Sequence, residues 1–381
     1  MTIAAPRQRL AYVDALRGLA ATAVVLYHLE YNPAMQELLA GFYPRWLQQI
    51  FEHGSLGVEI FFVLSGFVIV YSLRNVVLDR RGAGSFVVRR QLRLDPPYWA
   101  MLAIVVVGIP VQNALGLNHD SIPGPGVISL NALYLHNIFD VRQVVGVSWT
   151  LCIEIQFYLF LLLVAAFPRV VGRVSPSDRS RPSVLGQHMA PLLLLTGIAS
   201  VIIAHTWSND DWFIHYWMFF AVGALFCLYV LDVCSWRWAA AMVLIFTGTA
   251  LATGDQVPMA IAAFIAVAVL AAGQANVGVV HRVADTKVLQ YLGSRSYSIY
   301  LVHQTVLTTV LRVGVKTTGQ DHAAAMAWIV LAAIASFVAA ELFFRLIEKP
   351  SLRISASVKA NGLPRVRSRA RTSRESVEVT G

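Results

Sequence analysis

Charge is scarce in this sequence of 381 residues: only 13% are Asp, Glu, Lys or Arg, against about 25% in an ordinary soluble domain. Together with 57% hydrophobic residues and a mean hydropathy of +0.62, that scarcity excludes a soluble globular chain. Segments of alternating polarity are missing too, which excludes a transmembrane β-barrel. The apolar runs are instead continuous and reach roughly 20 residues, the length at which a helix crosses a bilayer with its backbone satisfied. Cysteine is limited to Cys152, Cys227 and Cys234. Three is odd for a disulfide framework and none has metal-ligand spacing, so they read as packing residues and no metal site is expected. The formal net charge of +9 does not point to nucleic acid, because the arginines cluster between apolar runs, where they set orientation in a membrane.

What is present is a series of apolar stretches at 11–29, 54–73, 97–116, 148–168, 189–206, 212–231, 237–254, 257–273, 297–315 and 325–347. The expected fold is all-α, a polytopic transmembrane helical bundle of about ten helices. A segment at 128–139 is too short to span and reads as interfacial or re-entrant. Basic residues fall at the N-terminus (Arg7, Arg9), in the second link (Arg74, Arg80, Arg81, Arg89, Arg90, Arg93), in the fourth (Arg169, Arg173, Arg179, Arg181), in the eighth (Arg282, Lys287, Arg295) and in the tail. The intervening links carry few. Ten spans with both termini cytoplasmic therefore satisfy the positive-inside rule, whereas nine or eleven put the basic tail outside. The expected location is a bacterial inner membrane. The expected organisation is a short cytoplasmic N-terminus (1–10), a membrane domain (11–347) and a basic, disordered cytoplasmic tail (348–381), solvated or lying on anionic membrane lipids. The first stretch reads as a retained span rather than a cleaved signal, because Asp14 and Arg17 enter it and no small-residue cleavage site follows Tyr27.

Polar groups inside the bilayer cost several kcal/mol and are functional candidates by default. Arg17 and His28 share the first span. Eleven residues separate them, roughly 16 Å along the axis and about three turns, so both lie near one face. Glu59 and Glu154 fall near the starts of the second and fourth spans, at a depth similar to His28. A histidine and a carboxylate at one level can form a general base and its orienting partner. The bland alternatives are a histidine bonded to a neighbouring helix and a carboxylate paired with an arginine. Arg90 and Arg93, followed by Pro96, Pro97, Tyr98 and Trp99, are either a topogenic cluster with aromatic anchors or a site for phosphates, which arginine forks match. Gly54, Gly57, Ser65 and Gly66 permit close helix approach. Trp149 accompanies Glu154. Tyr300 and His303 enter the ninth span, His303 more as a cavity-lining or structural residue than as a second base.

These pieces, in this order, resemble the acyltransferase family 3 membrane proteins over roughly 10–347. LRGLAATAVVLYHL at 16–29 looks like the family's Arg–ten residues–His signature, and GVEIFFVLSGF at 57–67 is similar to its second block. RRQLRLDPPYW at 89–99 looks like its Arg-x-x-Arg block, SWTLCIEIQFYL at 148–159 like the block carrying a glutamate, and YSIYLVH at 297–303 like its late Tyr/His block. The resemblance implies O-acyl transfer from acyl-CoA, normally acetyl-CoA, to a hydroxyl of a carbohydrate or glycolipid acceptor. It implies His28, Glu154 and Glu59 as catalytic groups, Arg17, Arg90 and Arg93 as donor-binding groups, and Ser65, Tyr98, Trp149, Tyr300 and His303 as cavity-lining residues. Asp95 departs from the family pattern and offers the arginines a carboxylate partner. Some relatives carry a hydrolase-like domain after the membrane part; a second transfer step is expected here to need a separate protein. The rival reading from another class is an exporter of a lipid-linked glycan, although neither repeat symmetry nor matched broken helices are apparent.

Overall fold

The computed structural model describes residues 10–32, 44–76, 79–170, 186, 188–207, 212–319 and 321–358. The expected basic residues Arg7, Arg9, Arg173, Arg179 and Arg181, and the tail beyond 358, lie outside them. Every regular element among the described residues is helical: α1 (Ala11–Glu30), α2 (Arg45–Glu52), α3 (Gly57–Leu73), α4 (Arg80–Ala114), α5 (Pro125–Ala132), α6 (Trp149–Val170), α7 (Met189–Thr206), α8 (Trp217–Val230), α9 (Arg237–Thr253), α10 (Val257–Gln274), α11 (Gly278–Ala284), α12 (Lys287–Thr318), α13 (His322–Phe343) and α14 (Lys349–Ser357). Each expected span coincides with a helix. Among the described residues six helical runs are long and apolar enough to cross a membrane: Arg45–Leu73, Arg81–Ala114, Trp149–Phe167, Met189–Thr206, Val257–Gln274 and His322–Ser357. Trp217–Val230 and Arg237–Thr253 are apolar but shorter. The count of ten thus narrows to six on length and apolarity. The helices α1 and α12 have the length, but polar residues dilute them: Asp14, Arg17 and His28 in one, Arg295, His303 and Arg312 in the other.

Between apolar helices in lipid, association comes from close packing rather than from water release, and small residues permit it. Two such contacts organise the bundle. A Cβ on Gly66 of α3 would lie 2.1 Å from Phe220 O of α8, so these two helices touch through their backbones. A Cβ on Gly293 of α12 would lie 2.1 Å from Asp14 O, and one on Gly18 of α1 would lie 2.6 Å from Gly293 N. From that crossing, ten residues along each helix lead to His28 and to His303, which meet with ring centroids 5.0 Å apart. Two contacts at equal offsets require α1 and α12 to run in the same direction. The histidine pair therefore lies roughly 15 Å beyond the glycine crossing.

The helix α4 corrects the expected start of the third span at 97. It begins at Arg80, where the Asp79 side chain accepts from Gly82 N at 2.6 Å, and runs unbroken through Pro96 and Pro97. Consecutive prolines leave the carbonyls of Leu92 and Arg93 without their helical donors. The hydroxyl of Ser351 in α14 donates to both, at 2.5 Å and 3.4 Å. Ser355 adds a bond to Arg89 O at 2.6 Å. The expected domain boundary at 347 consequently falls inside an ordered run: a π-turn at Phe344–Glu348 leads directly into α14, which packs along α4. The expected interfacial segment is α5, tied to α4 by Tyr98 OH to Asn131 O at 3.0 Å and Trp99 Nε1 to Ala132 O at 2.9 Å.

Candidate active site

One cavity collects polar residues from five helices. Arg17 comes from α1, Ser65 from α3, Arg90 and Arg93 from α4, Thr150 and Glu154 from α6, with Ser296, Tyr297 and Tyr300 from α12. Apolar side chains such as Val58, Phe61, Phe62 and Leu151 complete its wall. A second cavity adjoins it, lined by Asp14, Arg17, Arg93, Gly293, Ser294, Ser296, Phe344, Glu348 and Leu352. Arg17, Arg93 and Ser296 belong to both, so two guanidinium groups stand where the cavities meet.

The three arginines differ in their partners. Arg90 Nη2 donates to Glu154 Oε1 at 2.6 Å, with side chains only 12% and 24% exposed. Ser65 Oγ lies 3.5 Å from the same oxygen. The Arg90 Nε is buried without a partner. Among the described residues, neither Arg17 nor Arg93 has a hydrogen-bond or ion-pair partner for its guanidinium, and their charges repel one another. Of the two carboxylates lining the second cavity, Asp14 and Glu348, the latter accepts from Ser298 N at 3.1 Å and from Ser298 Oγ at 2.5 Å and makes no ion pair with either arginine. Asp95 does not neutralise the cluster either. Contrary to the expected arginine pairing, it accepts from Tyr134 OH at 3.0 Å. Glu154, Asp14 and Glu348 attract Arg17 without bonding to it, so the N–H donors of both guanidinium groups stay open to a ligand.

His28 lines neither cavity, and no hydrogen bond joins it to Glu59 or Glu154. The expectation of a carboxylate orienting this imidazole is therefore corrected. Glu154 is taken by Arg90 and lies in the first cavity with Arg17, three turns from His28, while Glu59 is buried with Oε2 unpartnered. The neighbour of His28 is His303, whose Nε2 lies 3.4 Å from His28 Nδ1. Between this pair and the cavity stand Tyr300 and Phe61. Tyr300 packs against His303 and Phe61, at ring centroid separations of 5.9 Å and 5.6 Å, and bonds to the Thr150 hydroxyl at 3.0 Å.

Of the five residues expected to line a cavity, Ser65 and Tyr300 do so. Tyr98 is fully buried against Tyr134 and Asn131, Trp149 packs on Phe62 and Tyr216, and His303 serves His28. Sequence reasoning missed Thr150, Ser296 and Glu348. The only signal for Glu348 was a carboxylate ending a long apolar run. Tyr297 donates to Leu94 O at 2.9 Å and fixes α12 to α4. Among the described residues no group of three His, Cys, Asp or Glu side chains is placed to hold a metal ion.

Comparison with known proteins bears on the reading of this site. Residues 10–345 match the family model described as an acyltransferase domain. The chain is 26% identical over 380 residues to the peptidoglycan O-acetyltransferase OatA of Listeria monocytogenes, covering 89% of this chain and 55% of that protein. It is 25% identical over 392 residues to the putative peptidoglycan O-acetyltransferase YrhL of Bacillus subtilis, covering 89% and 54%. A putative O-acetyltransferase of Staphylococcus aureus strain COL is 31% identical over 159 residues, 39% of this chain and 23% of that protein. The chain thus spans about half the length of the first two relatives. No solved structure matches. Coverage from Leu10 to Arg345 includes every arginine, glutamate and histidine of the candidate site except Glu348, and the chain belongs to this acyltransferase family.

Proposed function

We propose that the protein is a membrane O-acyltransferase that moves an acetyl group from acetyl-CoA to a carbohydrate hydroxyl, with His28 as general base. The observation that carries this reading is the pair of unpaired guanidinium groups, Arg17 and Arg93, at the junction of two cavities. Coenzyme A brings several phosphate charges, and arginine forks bind phosphate through charge-assisted hydrogen bonds. The end of the bundle holding the arginines and α14 faces the cytoplasm in this reading, as the positive-inside rule requires.

The phosphates occupy the second cavity beside Arg17 and Arg93. The pantetheine arm extends through the first cavity along Tyr297 toward Tyr300. Tyr300 and Phe61 form the wall between thioester and His28, so a side-chain movement there admits the reacting carbonyl. His28 takes the hydroxyl proton, the oxygen attacks the carbonyl, and the departing thiolate recovers the proton. Glu154 holds Arg90 at the cavity wall rather than orienting the base. The relatives named as peptidoglycan O-acetyltransferases make a peptidoglycan-type sugar the first acceptor to try. An exporter without chemistry is disfavoured by membership of an acyltransferase family.

The test is the full chain in lipid nanodiscs, given radiolabelled acetyl-CoA and soluble muropeptides or chito-oligosaccharides. Label is expected to leave the coenzyme and appear on the sugar as an alkali-labile ester. Absence of donor consumption with any acceptor overturns the proposal.

A further inference from the structure

The two imidazoles at 28 and 303 assign their own protons through what surrounds them. His303 Nδ1 lies 3.0 Å from Ile299 O and 2.7 Å from Tyr300 O. Carbonyl oxygens only accept, so this nitrogen carries the hydrogen and donates to them. In a neutral ring Nε2 is then a lone pair, and it faces His28 Nδ1 at 3.4 Å. His28 Nδ1 lies 2.9 Å from a second acceptor, Val24 O. Set between two acceptors, His28 Nδ1 must be N–H. The nitrogen left bare is His28 Nε2. His303 is fully buried and has both nitrogens engaged, so it is not itself the open base.

We infer that His303 is a positioning residue that, as a neutral hydrogen-bond acceptor, holds His28 in the Nδ1–H tautomer with Nε2 free to take the acceptor's proton. This rests on the acyl-transfer reading above. The task usually performed by a carboxylate beside a catalytic histidine falls here to an imidazole on a parallel helix, brought into register by the glycine crossing at Gly18 and Gly293. The proton balance is simple. The O–H bond of the sugar hydroxyl breaks and an N–H bond forms at His28 Nε2. The oxygen forms a bond to the thioester carbonyl, the C–S bond breaks, and the sulfur leaves with the proton returned from Nε2. While His28 is cationic, its Nδ1–H donates to His303 Nε2 more strongly than before, which stabilises the charge without a buried anion.

Two substitutions separate the nitrogens of His303. Asparagine keeps an N–H near the position of Nδ1 but offers no acceptor at that of Nε2, whereas glutamine carries its amide oxygen to the Nε2 position. H303N and H303A should lower kcat about 100-fold, the usual scale of general-base assistance, with KM for acetyl-CoA within about threefold of the parent value. H303Q should restore kcat to within about tenfold of the parent. Parent-level kcat in H303N, where Val24 O alone suffices to hold the tautomer, overturns the inference, as does an H303Q enzyme no faster than H303A. Should the variants fail to fold, histidine-15N spectra of the parent protein in bilayers, with the His28 signals assigned by their loss in H28Q, can still overturn it. Protonated Nδ1 and bare Nε2 are expected, and the opposite tautomer overturns it. A parent protein that never consumes acetyl-CoA defeats acyl transfer itself. An active parent with a dead H28A and a fully active H303N defeats only the positioning role.

Discussion

Replacing Arg93 with alanine should separate donor binding from folding. The Arg93 guanidinium lines both cavities and, among the described residues, has no side-chain partner, while its charge opposes that of Arg17. Its loss breaks no intramolecular ion pair, and the repulsion relieved at Arg17 and Arg90 is set against the attraction lost at Glu348, so thermal stability of the solubilised protein should stay near that of the parent. Binding should fall. A hydrogen bond to a charged group contributes about 1.5–3 kcal/mol. At about 1.4 kcal/mol per tenfold, loss of one phosphate contact weakens acetyl-CoA binding by roughly 10- to 150-fold. Arg90 provides the contrast. R90A strands Glu154 without its counter-ion and should cost about 3 kcal/mol of stability, as removal of one partner of a buried pair does. The assay is equilibrium binding of labelled acetyl-CoA at low and high salt, alongside thermal unfolding of each variant. Affinity in R93A equal to the parent, or loss of affinity only in step with unfolding, refutes the reasoning.

Three further outcomes follow from the same geometry. H28A should lower transfer by at least about 100-fold while donor affinity changes by less than about threefold, read by turnover and binding on one preparation; turnover retained in H28A removes the base assignment. S351A withdraws the hydroxyl from Leu92 O and Arg93 O, the two carbonyls freed by Pro96 and Pro97. It should cost about 1–3 kcal/mol, seen as a lowered Tm, and an unchanged Tm refutes that account. His136 lies in the link between α5 and α6, outside the candidate spans and fully buried, and burial pushes its imidazole down from 6.5 to about 4. Above pH 6.5 the ring is neutral whether the chain is folded or not. As pH falls from 6.5 toward 4 the unfolded chain binds the proton first, so stability drops across that window. H136Q should flatten that part of the Tm–pH curve, and superimposable curves contradict the sign.

Much of the candidate site was legible before any fold was known. Arg17 and His28 announce themselves as ionisable groups in an apolar run, and their separation along one helix follows from the rise per residue. Glu154 stands out for the same reason, Arg90 and Arg93 as a basic cluster ahead of an apolar run, and all three line the same cavity. The partner of each group was not legible. Glu154 was expected to serve His28 and instead binds Arg90, while His303 was read as a structural residue and instead faces His28. The helix through Pro96 and Pro97 also escaped prediction, because the donor that makes it tolerable is Ser351, more than 250 residues away.

The sequence by itself determined the apolar runs, the helical class and the spacing of polar residues along each helix, since hydropathy and rise per residue are properties of the local chain. Tertiary structure decided which of those residues face one another. That choice depends on helix rotation and crossing, set by backbone contacts such as Gly18 with Gly293 and Gly66 with Phe220, between residues remote along the chain. No local pattern records such a contact, because a glycine in an apolar run looks the same whether it meets lipid or another helix.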